Sequence, residues 1–432
     1  MKNKKGLVIS WYFPPINSSE GLCTFKLLKN SKFKYDVYTQ KNNKSWSYDT
    51  NEDKLTSKNI NPVFSETDDI GMWVEEGINR FKNKLSDYNF IMSRSMAPES
   101  HEIALELKKI NPDIPWIASF GDPITNNPYM KLIKQESPYK VKGNGILSFS
   151  VRYIFSPKRI LKNLLWNYKN KKYINNHTRI KKDELLQNDV FKNADIIIFN
   201  NKYQKEYMLN GYSQEIRDKA LILPHGYDVD FYSKGKIRKN NKYVISYLGH
   251  LDDIRTPKNF LIALNRLKHE RKEIYDNLEI NIYGNMSDKD KIYLVDNDLC
   301  DAVKFKKPIK YFESLEIMRQ SDLLLLIDAN LGLVNSENIF YAAKLADYIG
   351  SGSSIFGITM QDGASADIIK ENGGVISSHS VDDIYNNLVM ILEGKKKIKI
   401  IDKNKKYDMK NIANKYDERI VALIEDNKWK KI

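Results

Sequence analysis

The stretch that most constrains this 432-residue chain runs from Asp322 to Ile358. DLLLLID (322–328) is an unbroken apolar run between acids, the pattern of a strand buried on both faces of a parallel sheet. NSENIFYAAKLADYIGSG follows and predicts a helix closing at Gly350-Ser351-Gly352, before a second strand, Ser354 to Ile358. In an open α/β sheet, ligands dock beyond the carboxyl ends of strands, where helix N-termini present unpaired N–H groups. Lys344 and Asp347, three residues apart, share one helical face. Such a cation suits a phosphate and such a carboxylate suits the hydroxyls of a ribose; equally, the two make an ordinary solvated pair on a helix surface.

The alternation of strand and helix extends through the chain. GLVISWYF (6–13) predicts a buried strand, Pro14 to Gly21 a loop, and the residues to about Asn30 a helix, before the strand YDVYTQ (35–40). YNFIM (88–92) ends in Ser93-Arg94-Ser95, and a helix follows from about Pro98 to Lys109. WIASF (116–120) then runs into Gly121-Asp122-Pro123, a strand-end loop whose Asp122 is either a site carboxylate or a turn cap. DIIIFN (195–200) and ALILP (220–224), continuing into His225-Gly226-Tyr227-Asp228, complete a first half. The charged segment SKGKIRKNNK (233–242) reads as a linker. YVISYL (243–248) opens a second half, with Gly249, His250, Arg255 and Lys258 in the loop behind it. The helix Asn259 to Arg271, the strands 278–283 and 302–305, and the helix Tyr311 to Arg319 lead back to DLLLLID. Arg255 and Lys258 stand at a helix start, where a cation opposes the helix dipole, so a phosphate partner explains them better than a bare surface does. This is an α/β chain with predicted domains at 1–235 and 241–400 and a final amphipathic helix within 403–432.

Composition bounds the function. With 41% hydrophobic residues and 11% aromatics the chain is globular, and it has no apolar run of 18 residues to span a membrane. Cys23 and Cys300 are too few for a disulfide framework and lack metal-ligand spacing, which fits a reducing cytoplasm. The net charge of +14 is concentrated: Tyr129 to Lys182 holds fourteen Lys and Arg against Glu136 alone, a net +13. Within it, Ile160, Leu161, Leu164 and Leu165 form one helical stripe among lysines, beside Trp166 and Tyr168. Three readings stand: a peripheral contact with an anionic membrane surface, a packed helix with a basic solvent face, or a groove for single-stranded nucleic acid. The last ranks lowest, because the rest of the chain is nearly neutral and patterned like an enzyme.

Two βα halves joined by a linker resemble a GT-B glycosyltransferase, and the residues resemble family 4. Tyr12-Phe13-Pro14-Pro15 with Gly21 is similar to that family's first loop. Leu223-Pro224-His225-Gly226-Tyr227-Asp228, followed by Phe231, resembles the signature that closes its first domain. Tyr247-Leu248-Gly249 with Arg255 and Lys258 resembles the opening of its donor domain, and Lys344-Leu345-Ala346-Asp347-Tyr348 through Gly352 resembles its signature helix. The resemblance implies two facing Rossmann-like domains and a retaining, metal-independent transfer from a nucleotide sugar, with UDP the favoured carrier. The acceptor would be a cell-surface glycan or a lipid-linked sugar. It also implies site residues: Arg255 and Lys258 on the diphosphate, Asp347 on the ribose, and the helix start at Ala342 and Ala343 on phosphate. Gly21, Gly249, His250, Glu337 and Lys344 would complete the donor site, with Asp122, Arg255 and Lys258 as the catalytic set. The chain departs from the family's Glu-x7-Glu pattern, since Ile339 and Asp347 occupy the two positions and Glu337 is two residues off. His250 stands where an Arg is usual, and Gly121-Asp122 where the first domain carries a His. These departures admit an inactive subunit that binds a partner glycosyltransferase; a sugar-nucleotide epimerase of the same fold is a third reading.

Overall fold

The computed structural model describes residues 4–16, 18–41, 52–136, 177–233, 235, 240–396 and 398–429. Two parallel sheets organise it. The first contains β1 (Lys5–Ile9), β2 (Lys34–Thr39), β3 (Ile60–Phe64), β4 (Phe90–Arg94), β5 (Trp116–Ser119), β6 (Ile196–Phe199) and β7 (Ala220–Ile222). Their order is β3-β2-β1-β4-β5-β6-β7. The second contains β8 (Tyr243–Leu248), β9 (Leu278–Tyr283), β10 (Val303–Lys306), β11 (Leu323–Ile327), β12 (Ser354–Ile358) and β13 (Val375–Ser377), in the order β10-β9-β8-β11-β12-β13. Every neighbouring pair is parallel. In each sheet the chain winds outward on one side of its first strand and then jumps to the other. The reversals fall between β1 and β4 and between β8 and β11, and a crevice opens at such a switch point.

The apolar runs read as central strands are buried because helices cover both faces; the five residues of β11 are 0–2% exposed. Each buried Leu or Ile contributes roughly 1.5–3 kcal/mol. The first strand is shorter than its apolar run suggests and stops at Ile9. Pro14 and Pro15 lack N–H donors and constrain the residues before them, so the chain leaves the sheet and turns Phe13 into the core. β3 escapes sequence reading because it is an edge strand, INPVF, half-exposed and interrupted by Pro62, which only an edge tolerates. The helix Ile70–Phe81 that follows also goes unread, although Asp69 caps its Met72 N–H and Trp73, Val74, Gly77 and Phe81 form its buried face.

One apolar cluster joins the two halves, running from Phe25 and Leu28 through Phe231 to Leu345 and Tyr348. The last helix, Met409–Trp429, returns to the first domain. There Asp417 accepts from Ser31 Oγ at 2.6 Å and from the Lys32 N–H at 2.9 Å, and Tyr416 is fully buried. Among the described residues no helix is long and apolar enough to cross a membrane. Most of the basic window expected to meet a membrane, residues 137–176, lies outside the described residues.

Candidate active site

The two switch points face each other across a cleft of about 770 Å³. The loops after β1, β4 and β5 form one wall, joined by Ile180, Asp183 and Glu184 of the helix His177–Asn193, and those after β8 and β11 form the other, so most of the lining comes from strand ends. The second-domain wall is built around the helix Ala343–Ser351. Its N-cap residue, Ala342, has extended backbone and no side chain that caps the first N–H groups, and Ala342, Ala343 and Lys344 all line the cleft. Gly352 ends the helix in the left-handed conformation at φ +75°, as the Gly-Ser-Gly signal predicts.

Two cations share this wall. Lys344 Nζ donates to Tyr247 Oη at 3.3 Å and lies 4.5 Å from the centre of that ring. Gly249 makes room for it: its φ is +135°, and a Cβ there would collide with the Lys344 ammonium. Burial, then the charge of Arg255, pull the Lys344 pKa down to about 7. Arg255 Nε is buried and has no hydrogen-bond partner among the described residues. Asp252 shapes the Arg255 loop, accepting from the Ile254 and Arg255 N–H groups at 2.9 and 2.6 Å and from Tyr129 Oη at 2.7 Å. Asp328 is the acid on this wall, and its Oδ2 already accepts from Thr359 Oγ1 at 2.9 Å and Asn338 Nδ2 at 3.2 Å. Lys344, its pKa depressed by burial, and Arg255, whose Nε has no hydrogen-bond partner among the described residues, stand beside an uncapped helix N-terminus, an arrangement that would suit a polyanion.

The expected residues divide. Arg255, Lys344, Ala342, Ala343 and Asp122 all line the cleft. Lys258 does not: it is exposed at the start of the helix Lys258–Glu270, and Lys344, from a neighbouring strand end, stands beside Arg255 instead. His250 and Glu337 are likewise exposed and outside the lining. Gly21 serves packing, because a Cβ there would press on the Tyr12 and Phe13 backbone. Asp347 is the largest departure. It is 4% exposed, and its Oδ1 accepts from Lys26 Nζ at 3.0 Å and Tyr311 Oη at 3.1 Å. Burial works against the Lys26 charge, but Asp347 holds its pKa above the usual lysine value. This carboxylate joins the two domains rather than facing the cleft, which leaves it poorly placed for a ribose. Ile339 is buried, with its carbonyl accepting from Asn201 Nδ2 at 2.9 Å.

Sequence reading missed Glu20, Tyr129 and Asn338. Their signals are weak, since each is a common residue type whose neighbours are distant in sequence. His225, inside a motif that was read, lines the cleft; burial, then Arg94 and Lys26, keep its ring neutral.

The sequence matches no protein-family model and no curated protein. Solved structures do match over nearly the whole chain. Sucrose-phosphate synthase from Thermosynechococcus elongatus aligns with a TM-score of 0.60 at 11% identity, covering 99% of this chain and 97% of that one. WaaG, a glycosyltransferase involved in lipopolysaccharide biosynthesis, aligns at 0.53 and 14% identity, covering 97% and 98%. This chain has the GT-B fold. A Listeria monocytogenes protein described as a UDP-N-acetylglucosamine 2-epimerase also aligns, at 0.55 and 11% identity over 99% and 97%. The fold is thus shared by proteins described as transferring sugars and by one described as an epimerase.

Proposed function

We propose that the chain is a glycosyltransferase that moves a sugar from a nucleotide-sugar donor, UDP-linked by preference, to a cell-surface glycan or lipid-linked acceptor. The observation that carries this reading is the pairing of Arg255 and Lys344 at the open N-terminus of the helix Ala343–Ser351, facing a cleft between two domains. A departing nucleoside diphosphate gathers negative charge as the glycosidic bond breaks, and preorganised cations and helix N–H groups stabilise that charge where it develops. Transfer would proceed with retention and without a metal, as in the family 4 enzymes the sequence resembles. The name of the Listeria neighbour, which includes a UDP-sugar, supports the choice of UDP.

The protein would act in the cytoplasm, with segment 129–182 resting on anionic lipid. Binding to phosphatidylserine vesicles at low salt, lost at high salt, is the expected result. Ile339, buried where the family carries a carboxylate, favours a second reading, an inactive subunit that stabilises a partner glycosyltransferase.

A thermal-shift panel of UDP, GDP, ADP and CMP, with magnesium and with chelator, separates these readings. Nucleotide at a hundred times its dissociation constant stabilises by about 2.7 kcal/mol. One nucleotide shifting the midpoint in chelator supports the donor site; no shift with any of the four favours the inactive subunit. Analysis of the sugar recovered without acceptor identifies epimerisation.

A further inference from the structure

The first-domain wall of the cleft holds a charge cluster that the donor site leaves unused. Glu20 lies in the first turn of the helix Ser19–Asn30, Arg94 ends β4, and Asp122 follows β5. All three arrive from strand ends around the first sheet's switch point. Arg94 is only 5% exposed; its Nε donates to Glu20 Oε2 at 2.6 Å and its Nη1 to Ser119 Oγ at 2.8 Å. Its Nη2 is buried with no hydrogen-bond partner among the described residues. Glu20 Oε1 lies against Gly121, in the space a Cβ at that position would fill. Position 121 is therefore glycine because a carboxylate from another element occupies the place of its side chain. Asp122 lines the cleft with Glu20, and no described residue donates a hydrogen bond to its carboxylate.

We propose that Glu20 and Asp122, with Arg94 positioning Glu20, make the acceptor subsite select a neutral, hydroxyl-rich sugar over an anionic one. This rests on the reading of the cleft as a site of sugar transfer. Arg94 is neutralised by Glu20, so Asp122 leaves the cluster with a net negative charge. A hydroxyl has a proton to give to the Asp122 and Glu20 carboxylates, while Arg94, buried outside the cleft lining, holds Glu20 in place from behind. A sugar carboxylate or phosphate has no proton to give and meets two acids at close range. Burial, then the Glu20 charge, raise the Asp122 pKa to about 6, while Arg94 and Arg255 act in the opposite sense. The carboxylate is thus ionised at neutral pH.

Saturation-transfer NMR on the UDP-loaded protein tests this with methyl glucoside and methyl galactoside against the matching methyl uronides. UDP thermal shifts are recorded on the same samples. The neutral glycosides are expected to bind, with the uronides about tenfold weaker or worse. Asp122→Asn and Glu20→Gln should each weaken the neutral glycosides about tenfold, with the UDP shift retained. Uronides binding as well as glycosides, no glycoside binding to UDP-loaded protein, or unchanged binding in both variants overturns the proposal. Absence of a UDP shift in the unmodified protein overturns the transfer reading itself, and this subsite with it.

Discussion

Lys344 and Asp347 sit about one turn apart on the same helix and have opposite surroundings. Lys344 faces the cleft, its ammonium hydrogen-bonded among the described residues to a tyrosine hydroxyl and lying over that ring, with Arg255 adding like charge nearby and Asp328 opposing it. Asp347 faces the other domain and finds a buried ammonium and a phenol waiting for it. Spacing along a helix says that two side chains share a face; it does not say what covers each. A charge left uncompensated in a cleft awaits a ligand, whereas one neutralised inside the fold has become part of the architecture.

This contrast breaks most easily at Lys26. Lys26→Ala leaves Asp347 as a buried carboxylate without its countercharge, held among the described residues by Tyr311 alone, and is expected to cost about 3–5 kcal/mol of stability, read as a lowered urea midpoint at neutral pH. A loss within about 0.5 kcal/mol, the range of an ordinary surface substitution, would mean that the pair is not holding the domains.

A smaller effect sharpens the other side. In the free protein Lys344 loses its proton near pH 7, well below an unfolded lysine. The unfolded chain therefore binds more protons between about pH 7 and 10.4, and this site's contribution to stability rises with pH across that window. A bound diphosphate offsets both burial and Arg255, returning the pKa toward its ordinary value. Nucleotide binding should be insensitive to this group below pH 7, take up close to one proton at about pH 8.5, and weaken by up to tenfold per pH unit above 7. Calorimetry in buffers of different ionisation enthalpy measures the uptake; none at pH 8.5 would remove Lys344 from the phosphate site. The smallest effect is expected at Lys258, whose exposed side chain lies outside the cleft. Lys258→Ala should change nucleotide affinity by less than about twofold.

The same distinction explains what the sequence made legible. The central strands are readable because burial on both faces leaves continuous apolar runs such as LLLLI, and the helix at 343 because Gly350-Ser351-Gly352 marks its end. Edge strand β3 is unreadable for the opposite reason: half-exposed residues and Pro62 carry no periodic pattern. In the site, Arg255, Lys344 and the Ala342–Ala343 helix start could be found because their positions follow from the strand-end rule. The Lys26–Asp347 pair could not, since its members are 321 residues apart and nothing local to either announces the other. The exchange of Lys258 for Lys344 beside Arg255 has the same cause, a neighbour supplied by a different strand.

The most direct test of this division of labour is a nucleotide titration of three proteins: the unmodified chain, Lys344→Met and Asp347→Asn. Lys344→Met is expected to weaken UDP, or whichever nucleotide the panel selects, by at least about tenfold without lowering the melting temperature. Asp347→Asn is expected to lower the melting temperature while leaving affinity within about twofold. The reverse pattern, with nucleotide binding lost at Asp347 and retained at Lys344, would contradict the assignment of the cleft.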